Sequence, residues 1–176
     1  VLERLIEQQL LLAKMDVGEK ALPLEPLPIG GLVEEFIEDN RLNWTKRGAH
    51  FQLDIDTHLM AVGSSLLLER VIENLVTNSI KYKSEPEVTI HVTVKAENDQ
   101  TILSVADDGP GVPIEALHRL QDAFYRTDKA RSKTDNGSGL GLTIVRRAVA
   151  LMQGRMEIQN AEPHGLVVTI MFPKVQ

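Results

Sequence analysis

The first residues of the chain place apolar side chains at alternating steps of three and four, which is typical of an amphipathic helix. This pattern runs through residues 1–17 and ends at Gly18. Its seam positions are Leu2, Leu5, Gln9 and Leu12. Because a lone helix of this length is marginal in water, the pattern favours packing against a partner helix. Packing on its own domain is the alternative.

Residues 21–30 carry three prolines, which exclude a regular helix and predict an extended linker or an edge strand. After this stretch the pattern alternates between helical and strand periods. Helices are predicted at 31–47, from Ser64 or Ser65 to 82, and at 140–152. Strands are predicted at 51–55, 88–94, 101–105, near 156–158 and at 166–172.

The predicted strands come in neighbouring pairs, separated by polar or glycine-containing turns such as residues 97–100. In the helices, apolar residues fall on one side, with Leu32, Phe36, Ile37 and Trp44 expected to face inward in the first of them. This arrangement predicts a mixed or antiparallel sheet with helices on one face.

Composition fits one or two small domains with a proper core: the chain has 176 residues, of which 43% are hydrophobic, and a formal charge of −6. The negative charge argues against a general nucleic-acid surface. The absence of cysteine excludes disulfide scaffolds, cysteine zinc sites and thiol nucleophiles. No apolar run approaches the length of a membrane span. Because the chain begins at Val1, inside a helical pattern, we expect it to be a piece of a longer protein.

The long helix carries a first cluster of polar residues. Asn74 and Asn78 are four positions apart and share one stripe, which Lys81 and Tyr82 continue. An amide oxygen is a suitable ligand for Mg²⁺, and a lysine supplies a point charge for phosphate. A solvated polar helix face is the alternative interpretation.

A second cluster follows the strand at 101–105 and reads DDGPGVP at 107–113. A carboxylate at the end of a strand, followed by glycines, lets the backbone approach a flat ligand while the acid accepts a hydrogen bond from an amine. A tight turn built from Asp, Gly and Pro would have the same composition.

A third cluster, NGSGLGL at 136–142, leads into a predicted helix. Unpaired N–H groups at a helix N-terminus form a cradle for phosphate oxygens. The spacing matches neither a dinucleotide-binding motif nor a P-loop. Before it, the polar residues 126–135 suggest a mobile lid with basic side chains, although a plain loop would look the same.

Taken in this order, the three clusters resemble the ATP-binding catalytic domain of sensor histidine kinases, in the wider group that includes gyrase, MutL and heat-shock chaperone ATPases. Residues 73–82 (ENLVTNSIKY) resemble the N box of that family. Residues 107–112 and 137–142 resemble its two glycine boxes, and 124–126 the end of its F box. Residues 1–19 resemble the second helix of its dimerisation and phosphoacceptor hairpin.

For the N box, the resemblance implies that Asn78 ligates Mg²⁺ and that Asn74 helps to hold phosphates or metal-bound waters. It implies further that Lys81 meets a phosphate and that Tyr82 lies against adenine. Glu73 would polarise the incoming imidazole, although a plain surface glutamate is the alternative.

For the glycine boxes, the resemblance implies that Asp107 accepts a hydrogen bond from the adenine amino group, while Gly109 and Gly111, beside Val112, admit the base. Arg126 would reach the γ-phosphate when the lid closes. The second box would wrap the triphosphate with Gly137, Ser138, Gly139, Leu140, Gly141 and Leu142.

The residue at position 74 bears on the type of reaction. The hydrolysing relatives carry a glutamate four residues before the metal-binding asparagine, where it activates water. Here this residue is Asn74, which cannot act as a base near neutral pH. Transfer to a side chain is therefore expected rather than hydrolysis.

Two departures from the family are visible. Gln121 stands where the F box has an earlier Phe, and Ala123 stands where Pro is common, so anchoring of the lid is less well supported. The phosphoacceptor histidine, which an acidic residue follows, is missing. The five histidines present are expected to be structural or at the surface: His50, His58, His91, His118 and His164.

The resemblance implies an α+β two-layer sandwich, with a mixed, mostly antiparallel sheet backed by three helices and preceded by one long helix. The expected division is 1–19 for the hairpin fragment, 20–30 for a linker or edge strand, and 31–176 for the catalytic domain. The expected reaction is transfer of the γ-phosphoryl group of Mg-ATP to a histidine outside this chain, for relay to a response-regulator aspartate.

The resemblance also implies a homodimer through the hairpin, a response regulator as partner, no nucleic acid, and a cytoplasmic domain in a parent anchored to the inner membrane. Two alternatives are a regulatory module that binds nucleotide without phosphotransfer and an ATPase that activates water.

Overall fold

The computed structural model describes residues 6, 23–122 and 138–175. This part contains four helices: α1 (Ile29–Lys46), α2 (Ser65–Tyr82), α3 (Ile114–Asp122) and α4 (Ser138–Leu151). It contains seven strands: β1 (Glu25–Leu27), β2 (Ala49–Ile55), β3 (Ala61–Gly63), β4 (Val88–Glu97), β5 (Gln100–Asp107), β6 (Arg155–Asn160) and β7 (Leu166–Met171).

Five of the strands form one mixed sheet in the order β2-β4-β5-β7-β6. Strands β2 and β4 are parallel, and every other neighbouring pair in this sheet is antiparallel. The connection from β2 to β4 passes through α2, as a parallel pair requires. This architecture confirms the predicted α+β sandwich with a mixed, mostly antiparallel sheet.

The helices cover one face of the sheet. In β4 the side chains alternate, so that Val88, Ile90, Val92 and Val94 are buried while the exposed His91 lies on the other face. On α2 the predicted apolar stripe is buried: Val71, Ile72, Leu75, Val76 and Ile80. Helix α2 packs against α4, and α1, α2 and α4 contact strands β2, β4 and β6 respectively.

Local sequence signals explain how several elements begin and end. Ser64 caps α2, because its hydroxyl accepts a hydrogen bond of 3.4 Å from the Leu67 N–H. The β4–β5 hairpin turns at Asn98 and Asp99, whose φ angles are 52° and 62°. These residue types tolerate positive φ and suit a two-residue hairpin turn, so the predicted turn is confirmed.

The first helix starts earlier than predicted, at Ile29 instead of residue 31. Pro28 precedes it, and the Pro28 carbonyl accepts the Leu32 N–H at 3.0 Å. The proline-rich stretch before it contains β1, an edge strand that pairs antiparallel with β3. Of the inward positions predicted for α1, Ile37 and Trp44 are buried, whereas Leu32 and Phe36 are half-buried against the core.

Two elements were not predicted, the strand β3 and the helix α3. The three predicted helices correspond to α1, α2 and α4, and α3 is a further helix in the described part of the chain. Strand β3 spans only three residues, and α3 spans nine. Segments of this length give too few periods for a pattern to emerge from the sequence.

Apart from residue 6, the predicted N-terminal helix at 1–17 lies outside the described residues, as does the lid at 126–135. The predicted domain division at residues 19 and 30 stays a prediction. Across 23–122 and 138–175, none of the helices combines the length and the hydropathy needed to cross a lipid bilayer.

Candidate functional site

The candidate site lies where the C-terminal half of α2 meets the end of β5. Asp107 is the last residue of β5 and pairs with Ile90, whose side chain is buried under the helices. Residues opposite each other in an antiparallel pair point to the same face, so the Asp107 carboxylate points toward the helix layer. The Ser79 hydroxyl on α2 donates to its Oδ2 at 2.8 Å.

Two backbone groups fix the other oxygen of the same carboxylate. Oδ1 of Asp107 accepts the Gly109 N–H at 3.0 Å and the Leu166 N–H at 3.2 Å. A carboxylate has about four acceptor positions, two on each oxygen. The described donors fill both positions on Oδ1 and one on Oδ2. A further position on Oδ2 therefore suits an amino group of a ligand.

The loop after β5 is built around glycine. Gly111 has a φ of 70°, in the left-handed region that favours glycine. A Cβ atom there would lie 2.8 Å from the Gly165 carbonyl oxygen. The neighbouring Asp108 is exposed, and its Oδ1 accepts the Thr89 N–H at 2.8 Å, so this acid continues the strand pairing.

On α2, the two predicted asparagines differ in their surroundings. Asn74 is 6% exposed, and its Nδ2 donates to the Arg70 carbonyl at 2.6 Å. Asn78 is half-buried and directly precedes Ser79, which contacts Asp107. The polar stripe is therefore not a solvated helix face along its whole length, because Asn74 is buried.

The other predicted residues of α2 lie nearer to solvent. Glu73 forms an ion pair with Arg70 at 2.7 Å, and both side chains are 41% exposed. Tyr82 is 45% exposed, and the Lys81 ammonium lies 5.4 Å from the centre of its ring. Such a pairing is a cation–π contact, which keeps a positive charge at the C-terminal end of α2.

The second glycine box lies at the start of α4, because this helix begins at Ser138. This corrects the prediction that the helix begins at residue 140, since Gly139 and Gly141 are inside its first turn. The N–H groups of a first helical turn have no partner within the helix, and the anion cradle inferred from the sequence stays a prediction. Leu142 is half-buried against the core.

Helix α4 also carries an arginine whose pKa is shifted. Burial lowers the pKa of the Arg146 guanidinium. Arginine is effectively always protonated in proteins, so this group stays positively charged at neutral pH. Gly137 and Arg126 lie outside the described residues, so their predicted roles stay predictions.

A magnesium ion would need ligands beyond the side chains present. Among the residues that the structure describes, no group of three or more His, Asp or Glu side chains is placed to hold a metal ion. Mg²⁺ is commonly held by one or two protein oxygens together with water and substrate phosphates. A single amide oxygen such as that of Asn78 therefore fits a metal that arrives with a nucleotide.

Four contributors to the site were not identified from sequence, namely Ser79, Asn160, His164 and Gly165. Ser79 was part of the N-box segment but had no assigned role, and Asn160 and Gly165 were not singled out as site residues. The exposed His164 was expected to be structural or at the surface, and its Nδ1 lies 3.0 Å from the Gly109 carbonyl. Asn160, His164 and Gly165 approach Asp107 and its loop because β7 pairs with both β5 and β6. Ser79 approaches because α2 lies over the sheet. No local sequence signal encodes these contacts.

The chain was compared with known proteins. Residues 63–176 match the family described as histidine kinase-, DNA gyrase B-, and HSP90-like ATPase. The chain is 30% identical over 175 residues to the phosphate regulon sensor protein PhoR of Pseudomonas aeruginosa, covering 99% of this chain and 39% of PhoR. It is 29% identical over 172 residues to the sensor protein kinase WalK of Staphylococcus saprophyticus, covering 97% of this chain and 28% of WalK.

A solved structure shows the same fold. Full-length ShkA in complex with AMPPNP superposes with a TM-score of 0.74 at 26% identity, covering 98% of this chain and 35% of ShkA. The chain thus spans less than half the length of each of these three proteins.

Proposed function

Because the chain belongs to the family of histidine kinase-, DNA gyrase B- and HSP90-like ATPases, as an ATP-binding catalytic domain of sensor histidine kinases, we propose that it transfers the γ-phosphoryl group of Mg-ATP to a histidine on a separate helical hairpin. In the whole protein this phosphoryl group would pass on to a response-regulator aspartate. The relatives of the chain are named as sensor proteins and sensor kinases, which supports the proposal.

The hydrogen bond between Ser79 and Asp107 is the observation that carries the proposal. It joins two segments 28 positions apart, the N box and the first glycine box. The carboxylate is held in place by three described donors and keeps an acceptor position for a ligand amine. The adenine 6-amino group is such a donor, whereas guanine carries an acceptor at the same position. The site therefore favours adenine nucleotides.

The phosphates would lie between α2 and the N-terminus of α4. Helix α2 packs against α4, and we propose that Asn78 and Lys81 meet the phosphates together with the N–H groups of the first α4 turn. Asn78 would hold Mg²⁺ by its amide oxygen, and Asn74 would support the phosphates. When bound, Mg²⁺ would neutralise charge that develops on the phosphate oxygens. Lys81 and, from the lid, Arg126 would add positive charge.

Adenine would lie between the Gly109–Val112 loop and Tyr82, with Asp107 at its amino edge. Gly109 and Gly111 bring the backbone close to the base, since neither carries a side chain. Catalysis would consist mainly of positioning and charge neutralisation, as is common in phosphoryl transfer.

The acceptor is proposed to be a histidine, not water. At the position where hydrolysing relatives carry a glutamate, Asn74 has an amide that donates to the Arg70 carbonyl and cannot take a proton from water near neutral pH. Glu73 carries a carboxylate one residue earlier, in an ion pair with Arg70. We propose that this carboxylate orients the incoming imidazole.

The remaining proposals concern the whole protein. Residues 1–19 would form part of a dimerising hairpin, 20–30 a connection with an edge strand, and 31–176 the catalytic domain. The partners would be a second copy of the protein and a receiver domain, with no nucleic acid involved. The parent protein would be a sensor anchored in the inner membrane, with this domain in the cytoplasm.

The test combines binding and transfer. Calorimetry of this chain with ATP and Mg²⁺ is expected to show saturable binding. Incubation with γ-labelled ATP and a separate hairpin that carries a phosphoacceptor histidine is then expected to give acid-labile, alkali-stable phosphate on the hairpin. Binding without any labelled hairpin would contradict the transfer, and rapid release of inorganic phosphate by the chain alone would identify a water-activating ATPase instead.

A further inference from the structure

The β6–β7 hairpin lies against the glycine loop and holds it by side chains. Asn160, the last residue of β6, accepts the Val112 N–H on its Oδ1 at 3.0 Å and donates from its Nδ2 to the Val112 carbonyl at 2.7 Å. His164 places its Nδ1 at 3.0 Å from the Gly109 carbonyl oxygen. Since a carbonyl oxygen only accepts, this ring nitrogen is the donor.

The same hairpin also supports Asp107. The Leu166 N–H at the start of β7 donates to Oδ1 of Asp107 at 3.2 Å. Gly165, with a φ of 116°, packs so closely on β5 that a Cβ atom would lie 1.8 Å from the Asp107 carbonyl oxygen. Gly111 approaches from the other side, where a Cβ atom would meet Asn160 Oδ1 at 2.9 Å. The hairpin and the loop therefore fit together only with glycine at both positions.

The geometry points to Asn160 and His164 as positioning residues of the nucleotide site. They fix three backbone groups of the Gly109–Val112 loop before a nucleotide arrives, and thereby set the affinity and the base selectivity of the site. This inference rests on the function proposed above, in which Asp107 and this loop receive adenine. Neither side chain needs to touch the nucleotide, because each acts through the backbone.

The physical reason is preorganisation. Glycine loses more conformational freedom on ordering than any other residue, so a loop with two glycines that is not held in advance would weaken binding by the free energy needed to order it. Asn160 satisfies both polar groups of one peptide residue, which a single-donor side chain cannot do. The loop is thereby held at both ends, at Gly109 by His164 and at Val112 by Asn160.

The test compares Asn160→Ala and His164→Ala with Gln159→Ala, an exposed neighbour on β6 that serves as the control. Calorimetry would measure the Kd of the Mg complexes of ATP, ADP and GTP for each variant. Loss of one or two hydrogen bonds is expected to weaken ATP binding about 5- to 30-fold. ADP binding should weaken by the same factor, because ADP carries the same base. The preference for ATP over GTP, measured as the ratio of their Kd values, should fall. The control should stay within about twofold of the parent chain.

Hydrogen exchange separates positioning from general stability. In Asn160→Ala without nucleotide, the Val112 amide is expected to exchange faster while the core strand β4 keeps its protection. Unchanged ATP affinity in both variants would overturn the inference, as would weaker ATP binding with an unchanged preference over GTP. If Asn160→Ala does not fold, His164→Ala decides. If the proposed function itself were wrong, the result would differ, because the parent chain would not bind ATP.

Discussion

The Ser79 hydroxyl on α2 donates a 2.8 Å hydrogen bond to Oδ2 of Asp107 at the end of β5. Ser79 is 8% exposed, so the bond is shielded from water and links the helix layer to the sheet. It also orients the carboxylate oxygen that is left with an acceptor position.

Replacing Ser79 by alanine should lower stability by about 1.5–3 kcal/mol, because one hydrogen bond to a charged acceptor is lost. ATP affinity should fall by less than about tenfold, since the two backbone donors still hold Oδ1. Urea unfolding and calorimetry measure the two effects. Ser84→Ala, at an exposed serine beyond the end of α2, is the matched control and should change neither. If the two variants lost stability and ATP affinity equally, Ser79 would have no special role in the site.

Asp107→Asn should weaken ATP binding about 10- to 150-fold, since a hydrogen bond to a charged group is worth about 1.5–3 kcal/mol. The new amide also sets a donor against the Gly109 and Leu166 N–H groups or against the ligand amine. Asp108→Asn is the control, because Asp108 is exposed and serves the Thr89 amide. The interpretation of the site would be wrong if the two variants lost affinity equally in calorimetric titrations.

Asn78→Ala should remove the part of ATP binding that depends on metal. In the parent chain, adding Mg²⁺ in place of a chelator is expected to tighten ATP binding by at least about tenfold, and the variant should lose this gain. Asn40→Ala on α1 is the control, because it removes a half-buried helical asparagine away from the site, whose Nδ2 donates to the Phe36 carbonyl at 2.9 Å. A variant that keeps the full magnesium effect would exclude Asn78 as the metal ligand.

Gly165→Ala should destabilise the chain by about 3 kcal/mol or more, because the residue combines a φ of 116° with a carbonyl oxygen at 1.8 Å from the added Cβ. Thermal and urea unfolding measure this loss. Gly31→Ala is the matched control, because Gly31 lies in α1 and an added Cβ there would be 3.4 Å from the Thr57 carbonyl oxygen. The stability of this variant should change by less than about 1 kcal/mol. Similar stability of the two variants would show that β5 and the hairpin can separate.

Most elements of the fold were predictable because their patterns are long. The α2 stripe and the alternation of β4 each repeat over many residues, and burial in the structure follows both. The strand β3 and the helix α3 were missed because three and nine residues give little periodicity. Their stability depends on partners, namely β1 for the strand and β6 for the helix.

The residues of the candidate site also fall into two groups, those that local motifs predicted and those that only folding brings together. The N box and the glycine boxes are local motifs, so their residues could be chosen from spacing and from the family resemblance. The sequence could not show that Asn74 is buried or that Asn160 and His164 hold the glycine loop. Asn160 lies 48 positions from Val112, and His164 lies 55 from Gly109, so strand pairing alone brings them together.

By itself the sequence determined the identity of the family, the chemical groups available for an adenine nucleotide, and the lack of a base at position 74. These properties depend on residue types and short spacings, which the chain carries directly. The tertiary structure decided which oxygen of Asp107 is left for a ligand and which side chains hold the loop beside it. Those outcomes depend on β5 pairing with β7 and on α2 lying over the sheet, contacts whose geometry is fixed only when the whole core packs.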